Sequence, residues 1–480
     1  MERILNYIDG RLMAPQAGEY FPSINPAEGR PWAEVPDSDA EDVALAVAAG
    51  AAAYPGWRST PAAERSRLML ALAQAIEDDL DVLAAYESQD QGKPVSLART
   101  VDIPRAAANF RFYATAILHG HSESHFTDQT AINYTQRSPL GVVGCISPWN
   151  LPLYLFTWKI APALAAGNTV VAKPSELTPY TAYHLSKLCQ KVGFPAGVLN
   201  IVHGTGPKVG QSLVEHPKVP AISFTGGTVT GQRIAATAAP MFKKLSLELG
   251  GKNPVLVFDD ADFEEALETT VASSFRNQGE ICLCGSRVLV QASLYERFRD
   301  ALVERTKALK VGDPNDADTD LGALVSEGHR DKVLGYVQLA QEEGGTVLTG
   351  GEAVQVGGRC ANGYFVAPTI IEGLGPGCRT NQEEIFGPVI TLQPFETEAE
   401  ALALANDTPY GLAAVVWTQN LQRAHRVADQ IESGIVWVNC WMLRDLRTPF
   451  GGVKQSGVGR EGGWEALKFF TEPKNVCIKL

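Results

Sequence analysis

The apolar positions of this chain follow one spacing near its start and another from about residue 142 onward. Over residues 60–91 they recur at the three-to-four-residue spacing of one helix face, as at Leu68, Leu72 and Ile76. Thr60 suits the start of a helix, and Gly92 suits its end. The pattern predicts one long helix over residues 60–91.

Beyond residue 142, short apolar runs alternate with helical patterns. The runs predict strands at 170–172, 198–202, 221–224, 255–258 and 287–290. A helix is predicted between the first two strands, opening near Thr178 and closing at Gly193. Strands that alternate with helices over more than 100 residues indicate an α/β fold with a parallel sheet.

Two further β-prone segments, 131–136 and 476–480, have the character of edge or arm strands. At 480 residues the chain is too long for one ordinary core, so two or three domains are expected. Neither an internal repeat nor a long linker separates them, which predicts interleaved domains.

Charge and cysteine usage narrow the class of protein. The net charge of −13 disfavours nucleic acid and membrane surfaces as partners, because both are anionic. The eight cysteines are scattered without a CxxC pair, which favours a reducing compartment over a disulfide scaffold or zinc ribbon. Neither a signal-peptide core nor an apolar run long enough for a membrane helix is found, so a cytoplasmic protein is expected.

A glycine-rich turn follows the predicted strand at 221–224 and leads into a helix. Gly226, Gly227 and Gly231 could let a phosphate approach the helix N-terminus, although the usual GxGxxG pattern is absent. Glu176 follows another strand end, where an acid can accept hydrogen bonds from a ribose and repel a 2′-phosphate. The alternatives are a tight turn and, for Lys173 with Glu176, a surface ion pair.

Three residues are candidates for acyl chemistry. Cys282 lies in a polar, glycine-flanked loop and could be a thiolate nucleophile, or a buried structural cysteine. Glu248 lies between leucines, where burial would raise its pKa and suit a general base; the alternative is a solvent-facing edge residue. Asn150 could donate its amide to an oxyanion or simply occupy a turn.

A histidine-rich tract is a second candidate for metal binding, beside the weak pair Cys282 and Cys284, which has no histidine or second pair nearby. His119, His121 and His125 alternate along the chain, but nothing nearby completes a site. A solvated loop without a metal is therefore expected.

The order of the motifs is more specific than any one of them. Along the chain come Pro-Trp-Asn, Lys-Pro-Ser-Glu, Phe-Thr-Gly-Gly, Leu-Glu-Leu-Gly-Gly-Lys, Gly-Glu-Ile-Cys, Glu-Glu-Ile-Phe-Gly-Pro and Pro-Phe-Gly-Gly. In this order the chain resembles the aldehyde dehydrogenase superfamily over essentially its whole length. The resemblance implies an NAD-dependent enzyme.

The resemblance also implies a role for each motif residue. Cys282 would be the nucleophile, Glu248 the general base, and Asn150 with the Cys282 N–H the oxyanion hole. A thiohemiacetal on Cys282 would lose hydride and leave a thioester, which water activated by Glu248 would hydrolyse. The residues implied in NAD binding are Trp149, Lys173, Glu176, Gly226, Gly227, Gly231, Glu384 and Phe386.

The implied architecture has three parts. A Rossmann-like NAD-binding domain would span 1–118 and 140–250, and an α/β catalytic domain would span 251–450. Residues 119–139 and 451–480 would form a small β oligomerisation arm and the C-terminal segment. Open arm edges imply a homodimer or homotetramer.

Within the superfamily, the chain looks most like the branch that oxidises 2-aminomuconate 6-semialdehyde, with 2-hydroxymuconate semialdehyde dehydrogenases close by. Arg105 and Arg444 match the two arginines that would clamp the carboxylate of such a substrate. Alternatively, Arg444 pairs with Asp445 and Arg105 caps a helix. Three rival functions remain open: oxidation of another aldehyde, ester hydrolysis without redox chemistry, and a structural role.

Overall fold

A computed structural model describes all 480 residues of the chain. Its strands are β1 (Glu2–Arg3), β2 (Asn6–Ile8), β3 (Arg11–Met13), β4 (Tyr20–Asn25), β5 (Arg30–Pro36), β6 (Ser124–Thr127), β7 (Ala131–Pro139), β8 (Val142–Ile146), β9 (Thr169–Lys173), β10 (Leu199–Ile201), β11 (Ala221–Thr225) and β12 (Lys244–Glu248). They continue with β13 (Asn253–Val257), β14 (Gly285–Gln291), β15 (Thr346–Thr349), β16 (Thr369–Glu372), β17 (Val389–Phe395), β18 (Tyr410–Gly411), β19 (Ala413–Trp417), β20 (Ile435–Val438), β21 (Val453–Lys454), β22 (Gly457–Val458) and β23 (Thr471–Lys479).

Sixteen α-helices connect and cover these strands. They are α1 (Ala40–Ser59), α2 (Ala62–Asp78), α3 (Leu80–Gln91), α4 (Val95–Leu97), α5 (Ile103–Ala116), α6 (Pro152–Ala165), α7 (Tyr180–Lys191), α8 (Gln211–Glu215), α9 (Thr228–Ala238), α10 (Phe263–Phe275), α11 (Ala292–Lys307), α12 (Glu327–Glu342), α13 (Arg379–Gln382), α14 (Glu398–Asn406), α15 (Leu421–Gln430) and α16 (Gly463–Phe469). None of them is both long enough and apolar enough to cross a membrane.

The first large sheet has eight strands in the order β22-β12-β11-β8-β9-β10-β2-β3. Its five central strands are parallel to one another; they are β12, β11, β8, β9 and β10. Every residue of β8, β9 and β11 is buried, as expected for strands covered by helices on both faces. The predicted parallel α/β sheet is confirmed.

The second large sheet has seven strands in the order β15-β16-β17-β14-β13-β19-β20. All its neighbours are parallel except β15 with β16. The strands predicted at 255–258 and 287–290 are β13 and β14, with bounds shifted by one or two residues.

The long helix predicted over 60–91 is wrong, because the chain forms two helices that meet at Asp79. Thr60 does not begin a helix; it ends α1, and its N–H donates to the Gly56 carbonyl. Asp79 leaves helical geometry at φ −100° and ψ 21°. Apolar residues recur at helical spacing on both sides of this break, so the pattern alone does not reveal it. The predicted end at Gly92 is confirmed, at φ +96°.

The two predicted arm segments pair with each other. Strand β7 pairs with β23 antiparallel along its whole length, and β6 completes a separate three-stranded sheet. The rest of the C-terminal segment packs elsewhere: β22 joins the first large sheet, and Ala466 of α16 lies in the core beneath it. The predicted domain boundaries stay a prediction.

Candidate active site

The site lies where the carboxyl ends of the first parallel sheet face the second sheet. Asn150 follows β8, Glu176 follows β9, Gly226 follows β11, and Gly250 follows β12. Cys282 comes from the other side, in the loop before β14. One pocket is lined by Trp149, Asn150, Gly226, Gly227, Leu249, Gly250, Cys282, His329, Lys332, Glu384 and Phe386, among others. The fold therefore brings most of the predicted residues together.

The Cys282 loop is held in an unusual backbone conformation. Asn277, Gln278 and Gly279 have consecutive positive φ angles of 56°, 56° and 71°. Such conformations cost energy for residues other than glycine and are found where the surroundings enforce them. The side chains of this segment are themselves tied down, since the Asn277 amide donates to the Asn150 carbonyl at 3.1 Å and the Gln278 amide donates to the Ala323 carbonyl at 3.3 Å. Further along the loop, the Asn253 amide donates to the carbonyls of Cys282 and Cys284 at 2.7 and 2.8 Å.

Cys282 is half-buried, and its backbone N–H donates to no backbone or side-chain acceptor of the chain. Burial raises the pKa of its thiol, and the charges of Glu384 and Glu248 raise that pKa further. The two cysteines of the loop differ in accessibility rather than in the direction of their pKa shifts, because Cys284 is buried and burial also raises the pKa of its thiol. The loop therefore presents one accessible sulfur beside one free N–H donor.

Asn150 is buried at the wall of the same pocket. Its side-chain amide donates one hydrogen to the Glu280 carbonyl at 2.9 Å. An amide carries two hydrogens, so the second remains available to a ligand oxygen. Asn150 and the Cys282 N–H can thus face a developing oxyanion together.

Glu248 is the last residue of β12 and is only 4% exposed. Since β12 is paired on both sides, by β11 and β22, the edge-strand alternative for Glu248 is wrong. Neither carboxylate oxygen has a hydrogen-bond partner, and the lack of a side chain at Gly451 leaves room for Oε1. Burial, and then the charge of Glu461, raise the pKa of Glu248 well above its usual value. Glu248 does not line the pocket itself, although Leu249 and Gly250 do.

A second groove continues from the pocket along the carboxyl ends of β9 and β11. It is lined by Trp149, Lys173, Glu176, Gly226 and Gly227, among others. Lys173 donates to Glu176 at 2.6 Å. Although burial opposes ionisation, the Lys173 ammonium lowers the pKa of Glu176, so its carboxylate is ionised. The ion pair that was the alternative for Lys173 and Glu176 thus exists, but it lies within the groove rather than on the open surface.

The three predicted glycines have different surroundings. Gly227 precedes α9 with open space where a side chain would be, next to the free N–H groups of the helix N-terminus. Gly226 is pressed against the Phe224 ring. Gly231 is buried within α9, and a Cβ there would lie 2.5 Å from Leu249. Its position serves close packing of the helix, and it is not among the residues that line the groove.

Glu384 and Phe386 lie opposite this groove, before β17. Glu384 accepts a hydrogen bond from the Gly251 N–H at 2.9 Å. Phe386 has a positive φ of 62°, and its ring packs edge-on against Trp149 at 5.2 Å. His329, which no sequence motif singled out, contacts both rings and hydrogen-bonds to the Phe386 carbonyl.

Arg105 and Arg444 converge on one aromatic wall. The Arg444 Nη1 donates to the Tyr154 hydroxyl at 2.6 Å, and the Arg105 guanidinium lies 5.4 Å from the centre of the same ring. Both guanidinium groups also lie against Trp158, at 5.7 and 5.1 Å. The Nε and Nη2 atoms of Arg105 are buried without a partner.

The alternatives considered for these two arginines do not hold. Asp445 is exposed and pairs with Arg447 rather than with Arg444. Arg105 lies in the first turn of α5 and makes no capping hydrogen bond. Two like charges thus lie close together without an acidic partner, an arrangement suited to an anionic ligand.

Sequence reasoning missed two buried ion pairs beside the site. Lys159 pairs with Glu461 at 2.8 Å, and Lys93 pairs with Asp102 at 2.8 Å. Lysines and acids are usually exposed, so nothing in their sequence neighbourhoods signals burial. The histidine tract is exposed, as expected, and no group of three or more His, Cys, Asp or Glu side chains is arranged to hold a metal ion.

Comparison with known proteins agrees with this geometry. A model of the aldehyde dehydrogenase family matches residues 13–476. The chain belongs to the aldehyde dehydrogenase family. The resemblance inferred from the motif order is therefore confirmed, and with it the assignment as an oxidoreductase.

Individual relatives cover the dehydrogenase almost completely. It is 50% identical to the 2-aminomuconic semialdehyde dehydrogenase of Bos taurus, over 99% of this chain and 98% of that protein. It is 44% identical to the 2-hydroxymuconic semialdehyde dehydrogenase of Pseudomonas putida, over 100% of both chains. The NAD+ complex of an aldehyde dehydrogenase from Bacillus cereus superposes with a TM-score of 0.97, at 40% identity over 100% of this chain and 97% of the other.

Proposed function

We propose that this dehydrogenase oxidises a carboxylate-bearing semialdehyde, 2-aminomuconate 6-semialdehyde, to the acid with NAD+. The observation that carries the proposal is the pair Arg105 and Arg444, which share the Tyr154 wall and have no acidic partner. A guanidinium offers a planar fork of donors that matches a carboxylate. The name of the 50% identical relative from Bos taurus supports the same substrate.

The residues around Cys282 support a covalent mechanism. The Cys282 thiol passes its proton to solvent water as its sulfur bonds to the aldehyde carbon, while Asn150 and the Cys282 N–H stabilise the oxygen that becomes negative. When bound, NAD+ supplies the hydride acceptor. Oxidation leaves the acyl group on Cys282 as a thioester. Glu248 then takes a proton from water, whose oxygen displaces the sulfur and yields the carboxylic acid.

The groove fits a dinucleotide. Gly227 and the α9 N-terminus offer N–H donors to a pyrophosphate, and the ionised Glu176 can accept hydrogen bonds from the ribose hydroxyls. In the proposal Lys173 holds Glu176, Glu384 holds the second ribose, and Trp149 and Phe386 border the nicotinamide. Gly231 contributes by letting α9 pack closely.

A second candidate substrate is 2-hydroxymuconate semialdehyde. It carries the same distal carboxylate, and the Pseudomonas putida relative is named for it. The two substrates differ by one amino or hydroxyl group, far less than either differs from a neutral aldehyde.

The substrate proposal is tested by steady-state kinetics. NADH formation is followed with 2-aminomuconate semialdehyde, 2-hydroxymuconate semialdehyde and a neutral aldehyde of similar length. We expect kcat/KM to be highest for the first and lowest for the neutral aldehyde. A neutral aldehyde that matches both semialdehydes would contradict the proposal.

We also propose a cytoplasmic homo-oligomer. All eight cysteines are free, which suits a reducing compartment. The arm sheet leaves the outer edge of β6 unpaired, and Phe126 on that strand is 73% exposed. An open apolar edge of this kind favours pairing with another copy of the chain. Sedimentation analysis of the purified protein would separate dimer from tetramer.

A further inference from the structure

A fully buried lysine, Lys93, contacts the backbone of the catalytic Asn150. Its ammonium donates to the Asn150 carbonyl at 3.1 Å and to the Asp102 carboxylate at 2.8 Å. Both side chains of the ion pair are 0% exposed. Removing an ammonium from water costs desolvation free energy. In Lys93 that cost is offset mainly by the hydrogen bonds to Asp102 and Asn150.

The segment that contains Lys93 holds Asn150 from two sides. Besides the Lys93 contact, the Asn150 carbonyl accepts a hydrogen bond from the Asn277 amide at 3.1 Å. The Asn150 amide donates to the Glu280 carbonyl, and the Glu280 carboxylate in turn accepts a hydrogen bond from Gln91 at 2.5 Å. Residues 91–93 therefore fix both the backbone and the side chain of the oxyanion donor.

The other partner of Lys93 leads to the carboxylate end of the substrate site. Asp102 immediately precedes α5, and Arg105 lies in the first turn of that helix. A single ammonium thus joins the residue facing the aldehyde oxygen to the helix that carries one clamp arginine. Because both contacts are buried and direct, a change at Lys93 alters both ends of the site together.

We propose that Lys93 is a positioning residue that sets the separation between the oxyanion donors and Arg105. In this way it selects the chain length of the semialdehyde, a consequence that rests on the function proposed above. Lys93 does not touch the substrate. It acts through Asn150 at one end and through Asp102 and α5 at the other.

The test replaces the ammonium with an apolar chain of similar length, in Lys93→Met. Unbranched aldehydes of increasing length are assayed as matched pairs, one with a terminal carboxylate and one without. The control is Asn168→Ala, which removes a fully buried side chain that bridges Ala163 and Phe470 but makes no hydrogen bond to Asn150 or Asp102. NAD+ affinity and the melting temperature are measured for each variant.

We expect Lys93→Met to lower kcat for every aldehyde by about 10- to 100-fold, as displacement of an oxyanion donor does. The preference for one chain length among the carboxylate-bearing aldehydes flattens, while NAD+ affinity stays the same. A variant that keeps both kcat and the length preference would overturn the inference. So would an equal loss in Asn168→Ala at a similar melting temperature.

A folding defect is handled by a second variant. Lys93→Met with Asp102→Leu removes the ammonium together with the carboxylate it contacts, which proteins tolerate better than one unpaired charge. This double variant is expected to show the same kinetic losses, and wild-type kinetics from it would overturn the inference. If the wild type shows no preference for carboxylates, the proposed function and the chain-length role both fail. Loss of kcat with neutral aldehydes still tests the contact with Asn150 in that case.

Discussion

Replacing Arg444 with alanine removes one half of the proposed carboxylate clamp. The Arg444 guanidinium is held by the Tyr154 hydroxyl at 2.6 Å and lies 4.2 Å from the centre of the Phe450 ring. It has no acidic partner within the chain, so alanine leaves no carboxylate unpaired. The main loss is therefore the interaction with the substrate. A smaller loss is shared by every aldehyde, because the Arg444 charge also lowers the pKa of Glu248 and of Cys282.

The size of that loss follows from the geometry. A hydrogen bond to a charged group contributes about 1.5–3 kcal/mol to binding. Since Arg105 remains, we assign Arg444 about 2–3 kcal/mol, or roughly a 30- to 150-fold fall in kcat/KM. The loss is expected in KM, because the carboxylate is bound equally in the ground state and the transition state.

The assay compares the semialdehyde with a neutral aldehyde by NADH absorbance. Arg447→Ala is the matched control, since this neighbouring arginine is exposed and pairs only with Asp445. The control should leave both substrates unchanged, and Arg444→Ala should leave the neutral aldehyde within a few-fold of wild type. Equal losses for both aldehydes in Arg444→Ala would refute the clamp.

Four further predictions concern the rest of the site and one buried histidine. Cys282→Ala should abolish NADH formation while NAD+ still binds, and residual turnover would contradict the thiolate mechanism. Because burial raises the pKa of Glu248, the base form is gained only above the usual range for a glutamate, about pH 4.3. The acid limb of kcat should therefore lie above that range and disappear in Glu248→Gln, with an acyl-enzyme accumulating as a burst. Glu176→Gln should raise the efficiency with NADP+ relative to NAD+, and an unchanged ratio of the two efficiencies would remove its role at the ribose. Burial lowers the pKa of His203 to about 3, below its unfolded value of about 6.5, so its contribution to stability is lost as pH falls through that interval. The melting temperature of His203→Gln should therefore fall less than that of wild type on acidification.

Much of the site could be predicted because its residues lie at strand ends. Asn150, Glu176 and Gly226 each follow a buried run, and the carboxyl ends of parallel strands meet at one edge of a sheet. Cys282 and Glu248 were candidates from their local residues, and motif order added their proposed roles as nucleophile and general base. Individually, each of these residues had an alternative explanation that only the assembled fold could decide.

The parts that escaped prediction depend on long-range contacts. Glu461 meets Lys159 across 302 positions, and Lys93 meets Asn150 across 57. Lys93 follows a glycine and precedes a proline, a context that reads as an exposed turn. The helix break at Asp79 escapes prediction for a different reason. Apolar spacing indicates which face of a helix is buried, but it does not indicate whether two helical segments form one continuous helix.

An acidic protein surface is compatible with an anionic substrate, because salt screens the repulsion between the surface charges and a substrate bound at Arg105 and Arg444. At physiological salt, exposed charges are screened over about 8 Å, so the net charge of −13 has little effect at a partly buried site. Arg105 and Arg444 instead lie against aromatic rings, with the Nε and Nη2 atoms of Arg105 buried, and charges interact more strongly where less water surrounds them. Burial lowers the pKa of Arg105, and the adjacent Arg444 charge lowers it further, as expected for two like charges that repel each other. A bound carboxylate offsets the repulsion between the two guanidinium groups, whereas a neutral aldehyde leaves it in place. The repulsion in the free enzyme therefore favours carboxylate-bearing aldehydes over neutral ones.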